Sequence, residues 1–276
     1  MIDLGLNAKR VVVVGAGHRP PRPGIGRAVA MRLAEAGSEV TCIDLSRDRA
    51  EAVAEEIRSA GGDAHVIVAD MCDPEQVDRA FAEAVDAMGG LDICVTVVGE
   101  ATWGTALEFE ESDWTWAIET NLHHVFLVFQ AAGRILRRQG GGALAAVASV
   151  DGLMAAPLHV AYGCAKAGVI HLVKTLSEEL GPDRIRVNAV APGNVFTPTD
   201  EVREPGPGLD RATPLRQPTA TDIADALVFV CSDLARAVTG QTIVVDGGAS
   251  CKGLWDFPPD LLDRMRPDPS SQRDRR

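Results

Sequence analysis

The feature that most constrains this chain is a run of valines closed by glycines, Arg10-Val-Val-Val-Val14 followed at once by Gly15-Ala-Gly17. Consecutive β-branched residues suit a strand buried on both faces, as in the middle of a parallel sheet. Glycines at its end permit a tight turn, and Gly24-Ile25-Gly26 then opens a helical pattern over Arg27–Ala36. In such a turn the backbone approaches a ligand closely, and the helix N-terminus offers N–H groups and a favourable dipole to a phosphate. The alternation repeats. Strands are expected at Glu39–Ile43, Ala64–Ala69, Leu91–Val95, Ala143–Ala148, Arg184–Val190 and Gln241–Val245, and helices at Asp48–Ala60, Glu75–Met88, Ser112–Gln139, Val160–Leu180 and Thr221–Ala235. That order predicts an α/β chain with a doubly wound parallel sheet of about seven strands and helices on both faces.

Composition narrows the function. With Lys+Arg 27 against Asp+Glu 39, the net charge of −12 argues against a general partner of nucleic acid or anionic membrane. The start MIDLGLNAKR has no basic-then-apolar leader, and no apolar run is long enough to span a bilayer, so a cytoplasmic protein is expected. Cys42, Cys72, Cys94, Cys164, Cys231 and Cys251 are scattered without C-x-x-C pairs, which reads as reduced thiols and no metal site. Residues 1–250 are expected to form one dinucleotide-binding domain, and 251–276 a partly disordered tail.

Chemistry concentrates in Ser149–Lys166. Tyr162, the chain's single tyrosine, and Lys166 are four apart, so a helix starting near His159 sets both on one face. An ammonium one turn away is expected to lower the phenol pKa toward the range of a general acid/base. Ser149 ends the strand before them, where its hydroxyl can hold a substrate oxygen beside the tyrosine.

These residues resemble the classical short-chain dehydrogenase/reductases. The resemblance runs from about residue 9 to about residue 250 and rests on Ser149, Tyr162-Gly-Cys-Ala-Lys166, Asn121, Gly24-Ile25-Gly26, Asp70 and Pro192-Gly193-Asn-Val195-Phe-Thr197. It implies a Rossmann-type fold in which Tyr162 transfers the proton and Ser149 orients the substrate oxygen. It further implies that Lys166 tunes the tyrosine and bonds the nicotinamide ribose, and that Asn121 completes a proton relay. Gly15, Gly17, Gly24, Ile25 and Gly26 would face the pyrophosphate, Asp70 the adenine, and Pro192, Gly193, Val195 and Thr197 the nicotinamide. Asp44, 18 residues after Gly26, suits the ribose hydroxyls and repels a 2′-phosphate, so NAD is preferred over NADP. Asp44 could instead cap the next helix, and Arg47 with Arg19 or Arg22 could pair a 2′-phosphate.

Two departures stand out. HRPPRP lengthens the first glycine interval from four residues to nine, and Thr96-Val97-Val98-Gly99 replaces the usual Asn-Asn-Ala-Gly. Gly99 still allows close backbone approach, and Thr96 is expected to offer one hydroxyl in place of the amide. Trp103, Asp151, Leu153, Met154, Leu158, His159, Asn194 and Phe196 surround the expected substrate pocket, with residues 198–215 as a candidate lid. The expected function is an NAD(H)-dependent oxidoreductase interconverting a secondary alcohol and a ketone, the substrate being of medium size with an apolar body, and Asp151 or His159 able to bind a second hydroxyl. An NADP(H)-dependent 3-oxoacyl or ketone reductase, and a non-catalytic dinucleotide sensor, remain open alternatives. The resemblance also implies a homodimer or homotetramer built on the two long helices.

Overall fold

The computed structural model describes residues 2–17, 24–195 and 215–251. Seven parallel strands form one sheet in the order β3-β2-β1-β4-β5-β6-β7, with β1 at Arg10–Val14, β2 at Glu39–Asp44, β3 at Ala64–Val68, β4 at Ile93–Thr96, β5 at Gly142–Val147, β6 at Ile185–Pro192 and β7 at Thr242–Val245. The expected doubly wound α/β architecture is the one observed. Helices α1 (Ile25–Glu35), α2 (Arg47–Ser59) and α7 (Ala220–Cys231) cover one face, while α3 (Pro74–Met88), α5 (His124–Gln139) and α6 (Val160–Leu180) cover the other.

The valine run shows why the sheet is two-sided. Val12 and Val14 enter the core under α3, α5 and α6, whereas Val11 and Val13 enter the core under α1, α2 and α7. All four are fully buried. Successive side chains leave a strand on opposite faces, so an unbroken apolar run serves both layers. Helix starts are set by polar caps: Asp73 accepts from the backbone N–H groups of Glu75 and Gln76 at α3, and Thr219 with Asp222 forms a reciprocal capping box at α7.

One expected helix divides. Ser112–Gln139 becomes α4 (Glu111–Ile118), a π-helical turn (Glu119–His123) and α5, and the N-cap is Glu110 rather than Ser112 or Asp113. The wide turn contains Asn121, whose amide nitrogen bonds back to the carbonyl of Ala117. Among the described residues no helix is long and apolar enough to cross a membrane, and no cluster of three metal-ligating side chains forms.

Candidate active site

A cleft of about 430 Å³ opens at the carboxyl ends of β1, β2 and β4, lined by Gly15, Gly17, Gly24, Asp44, Asp70 and Gly99 among others. Glycine is required at its floor. Gly15 has φ +80, and a Cβ at Gly26 would lie 1.9 Å from the Gly15 carbonyl oxygen, so α1 could not approach the turn. Gly24 is the N-cap of α1 and supplies no side-chain acceptor, and the first turn of the helix carries no acid. The leading N–H groups thus receive no cap from the Gly24 side and no acidic side chain within the first turn. Ile25 packs its side chain into the core beneath α1. The insertion with Arg19 and Arg22 lies outside the described residues, as do Phe196, Thr197 and almost all of the 198–215 segment.

At the β2 end of the cleft the Asp44 carboxylate accepts from Gly17 N at 3.2 Å and Ser46 N at 3.0 Å. Its other neighbour is Arg49, with Nη2 3.0 Å from Oδ1. Arg49 lines the cleft, while Arg47, the basic residue expected there, is exposed at the start of α2. The signal for Arg49 was its place one turn into the helix that follows Asp44. Asp70 accepts from Cys72 N at 2.9 Å, a turn that holds the carboxylate at the cleft wall.

Tyr162 and Lys166 sit in the first two turns of α6, with Nζ 5.6 Å from the phenol ring centroid. Lys166 is 2% exposed, and its ammonium donates to the Val147 carbonyl at 3.0 Å. Burial pushes its pKa down to about 8. Gly99 permits this packing, since a Cβ there would stand 2.9 Å from Nζ and 2.8 Å from Asn121 Oδ1. Asn121, fully buried, clamps the chain after β4 by donating to Glu100 O and accepting from Glu100 N, each at 3.0 Å.

The tyrosine does not titrate as expected from its spacing to lysine. Burial raises the Tyr162 pKa above the ordinary phenol value; a hydrogen bond with Ser149 lowers it, and the Asp151 charge raises it further. Lys166 donates to a backbone carbonyl, and burial rather than the ammonium is the largest influence on the phenol. Ser149 stands at the end of β5, nearly buried, with Oγ accepting from Asp151 N at 3.1 Å.

A second expectation also fails. The Thr96 hydroxyl does not take the place of the missing amide, because it is buried against His124 Nε2 at 3.1 Å. His124, which the sequence did not single out, has its pKa pushed down to about 3 by burial and then by the Lys166 charge, so its imidazole is neutral. On the far side, Pro192 ends β6 and Gly193 N donates to Val245 O at 3.1 Å, with Val195 packed against the α1 layer. Cys164 is exposed on α6. Trp103, Leu153, Met154 and Leu158, expected around the substrate pocket, are exposed.

A glycine-floored turn, an acidic rim at Asp44 and a Ser149–Tyr162–Lys166 group at the ends of one parallel sheet have the layout of a dinucleotide-dependent oxidoreductase. Residues 21–250 match a family model described as enoyl-(acyl carrier protein) reductase. A 3-oxoacyl-[acyl-carrier-protein] reductase of Staphylococcus aureus is 37% identical over 246 residues, 87% of this chain and 97% of its own. A putative short-chain dehydrogenase/reductase from Burkholderia xenovorans superposes with a TM-score of 0.84 at 35% identity, covering 90% of this chain and 98% of that one. A 7α-hydroxysteroid dehydrogenase in complex with NADH and 7-oxo glycochenodeoxycholic acid gives 0.81 at 29% identity, covering 89% and 96%. A gluconate 5-dehydrogenase from Burkholderia cenocepacia in complex with NADP and tartrate gives 0.83 at 29%, covering 91% and 98%. This chain belongs to the classical short-chain dehydrogenase/reductase family. It is an oxidoreductase acting on CH–OH groups with a nicotinamide dinucleotide as acceptor.

Proposed function

We propose that the enzyme interconverts a secondary alcohol and a ketone and prefers NAD to NADP. The observation that carries the chemistry is the clustering of Ser149, Tyr162 and a buried Lys166 whose hydrogen-bond partner, among the described residues, is the Val147 carbonyl and no carboxylate. Tyr162 exchanges a proton with the substrate oxygen, Ser149 orients that oxygen, and Lys166 adds positive charge beneath the phenol and meets the nicotinamide ribose. Asn121 holds the chain after β4 and links the lysine to solvent. Bound nicotinamide supplies the hydride chemistry; the protein contributes placement, charge and exclusion of water.

The residues suit the cofactor. Gly15, Gly17, Gly24, Ile25 and Gly26 would hold the pyrophosphate, as the space left by absent Cβ atoms and the uncapped helix start support. Asp44 would accept from the ribose hydroxyls, Asp70 would meet the adenine, and Gly99, Pro192, Gly193, Val195 and Thr197 would border the nicotinamide half. Preference for NAD rests on the Asp44 carboxylate at the rim.

A second reading, an NADP-linked 3-oxoacyl or ketone reductase, is favoured by Arg49 beside Asp44 and by the Staphylococcus aureus relative. Exposed Phe126 and Trp116 near the α4–α5 junction support a homodimer or homotetramer, and a cytoplasmic location fits this reading. The deciding experiment follows NADH and NADPH absorbance across secondary alcohols, ketones and a 3-oxoacyl thioester. Turnover with NAD and a secondary alcohol, lost by about 10²–10⁴-fold in Tyr162→Phe, is the expected result. A Tyr162→Phe enzyme with unchanged turnover overturns the proton-transfer role.

A further inference from the structure

We propose that His159, fixed by Asp151, binds a second hydroxyl on the substrate, making the preferred substrate a hydroxyketone or the corresponding diol. This deepens the alcohol–ketone reading and rests on it.

His159 is the N-cap of α6, three residues before Tyr162, and the two rings meet nearly perpendicular with centroids 5.6 Å apart. Its Nδ1 lies 2.7 Å from Asp151 Oδ2. A carboxylate only accepts, so this contact assigns a proton to Nδ1 and leaves Nε2 as the ring nitrogen free for a ligand. Nε2 is buried and has no hydrogen-bond partner among the described residues. A histidine that merely closed a loop would need the aspartate contact and nothing more, and its other nitrogen would face water. Here the spare nitrogen is held out of water beside the phenol, a buried polar atom in want of a hydrogen-bond partner.

Two further observations show that the imidazole is held in place. Trp103 packs edge-on against it at 3.8 Å between centroids, yet leaves 71% of its own surface exposed. The segment carrying Trp103 is pinned by Gly104 N donating to Leu158 O at 2.9 Å. Leu158 adopts φ +71, a left-handed conformation that a branched side chain takes only when its surroundings impose it. Strain, pinning and an orphaned nitrogen thus converge on one ring. A hydroxyl both donates and accepts, so it can pair with Nε2 in either role of that nitrogen, which a purely accepting carbonyl cannot do. Entry of the substrate would swing Trp103 aside, setting its apolar body against the indole and its extra hydroxyl on Nε2.

The test compares a hydroxyketone with the matched ketone lacking that hydroxyl, in wild type, His159→Phe, His159→Gln and Asp151→Asn, with NADH binding measured for each to show that the site is folded. His159→Phe is expected to lower kcat/KM for the hydroxyketone about 10–100-fold, mainly through KM, and to change the matched ketone by less than about threefold. His159→Gln, whose amide oxygen can accept, should restore part of the loss, and Asp151→Asn should follow the phenylalanine variant. Equal losses on both ketones, or a wild type that does not distinguish them, overturns this proposal while leaving the parent reading intact. A wild type that turns over neither ketone overturns both.

Discussion

Arg49 and Lys166 are cations at two ends of one site, the first beside Gly17 and the second against Gly99. Arg49 is partly exposed and meets the Asp44 carboxylate at 3.0 Å. Lys166 is buried and, among the described residues, donates its one hydrogen bond to a carbonyl. The difference teaches that the same charge is held differently according to its solvation. Near water, a guanidinium paired with a carboxylate keeps its charge at modest cost to stability, and in the proposed function it would tune the choice of dinucleotide. Out of water, an ammonium without a carboxylate beside it loses its proton more easily, and in the proposed function it would assist proton transfer.

The comparison breaks most sharply at the buried end. Lys166→Met is expected to cut kcat about 10²–10⁴-fold, as for loss of an acid–base group, and steady-state kinetics checks it. The same variant tests linkage. The lysine pKa is about 8 in the folded chain against an ordinary value of 10.5, so between those values the unfolded chain binds more protons and stability rises with pH. Wild type should therefore gain about 3 kcal/mol from this group between pH 8 and 10.5, a slope that chemical denaturation of Lys166→Met should lack.

Effects at the exposed end should be smaller. Asp44→Ala is expected to move the ratio of NAD to NADP affinity about 10–100-fold toward NADP, the worth of a charged hydrogen bond, while Arg49→Ala moves it the other way; titration calorimetry reads both. If neither variant moves the ratio, the rim does not choose the cofactor. Smallest in energy is the phenol itself. Because the chain has one tyrosine, tyrosinate absorbance of the cofactor-free protein reports Tyr162 alone, and its midpoint should lie above that of free tyrosine. A midpoint below it would restore the simple spacing rule.

Much of this was legible in the sequence, for physical reasons. Val11–Val14 can only be a two-sided strand, Gly26 can only sit where backbone meets backbone, and the Tyr162–Lys166 interval follows from helical geometry alone. What escaped depended on pairings distant in the chain or on burial. Thr96 and His124 are 28 residues apart, and the hydroxyl of the first was spoken for only once the fold joined them. The tyrosine pKa lies above the ordinary phenol value because desolvation, which spacing does not encode, outweighs the hydrogen bond with Ser149. Arg49 was passed over for Arg47 because the way a helix's first turn rolls its side chains is set by packing. Asp151 and His159 were both noticed, but their contact required a strained loop at Leu158.

The wide turn at Glu119–His123 has an engineering consequence. A π turn takes up about one residue more than the α turn it replaces, so deleting that residue would let the helix close to a regular turn with α5 still in phase and Phe129 and Leu136 still on the sheet. What would go is the local offset that lets Asn121 reach Glu100 and Ala117 together. The surplus residue therefore serves the clamp, and trimming it should give a folded protein whose chain after β4 has lost its anchor.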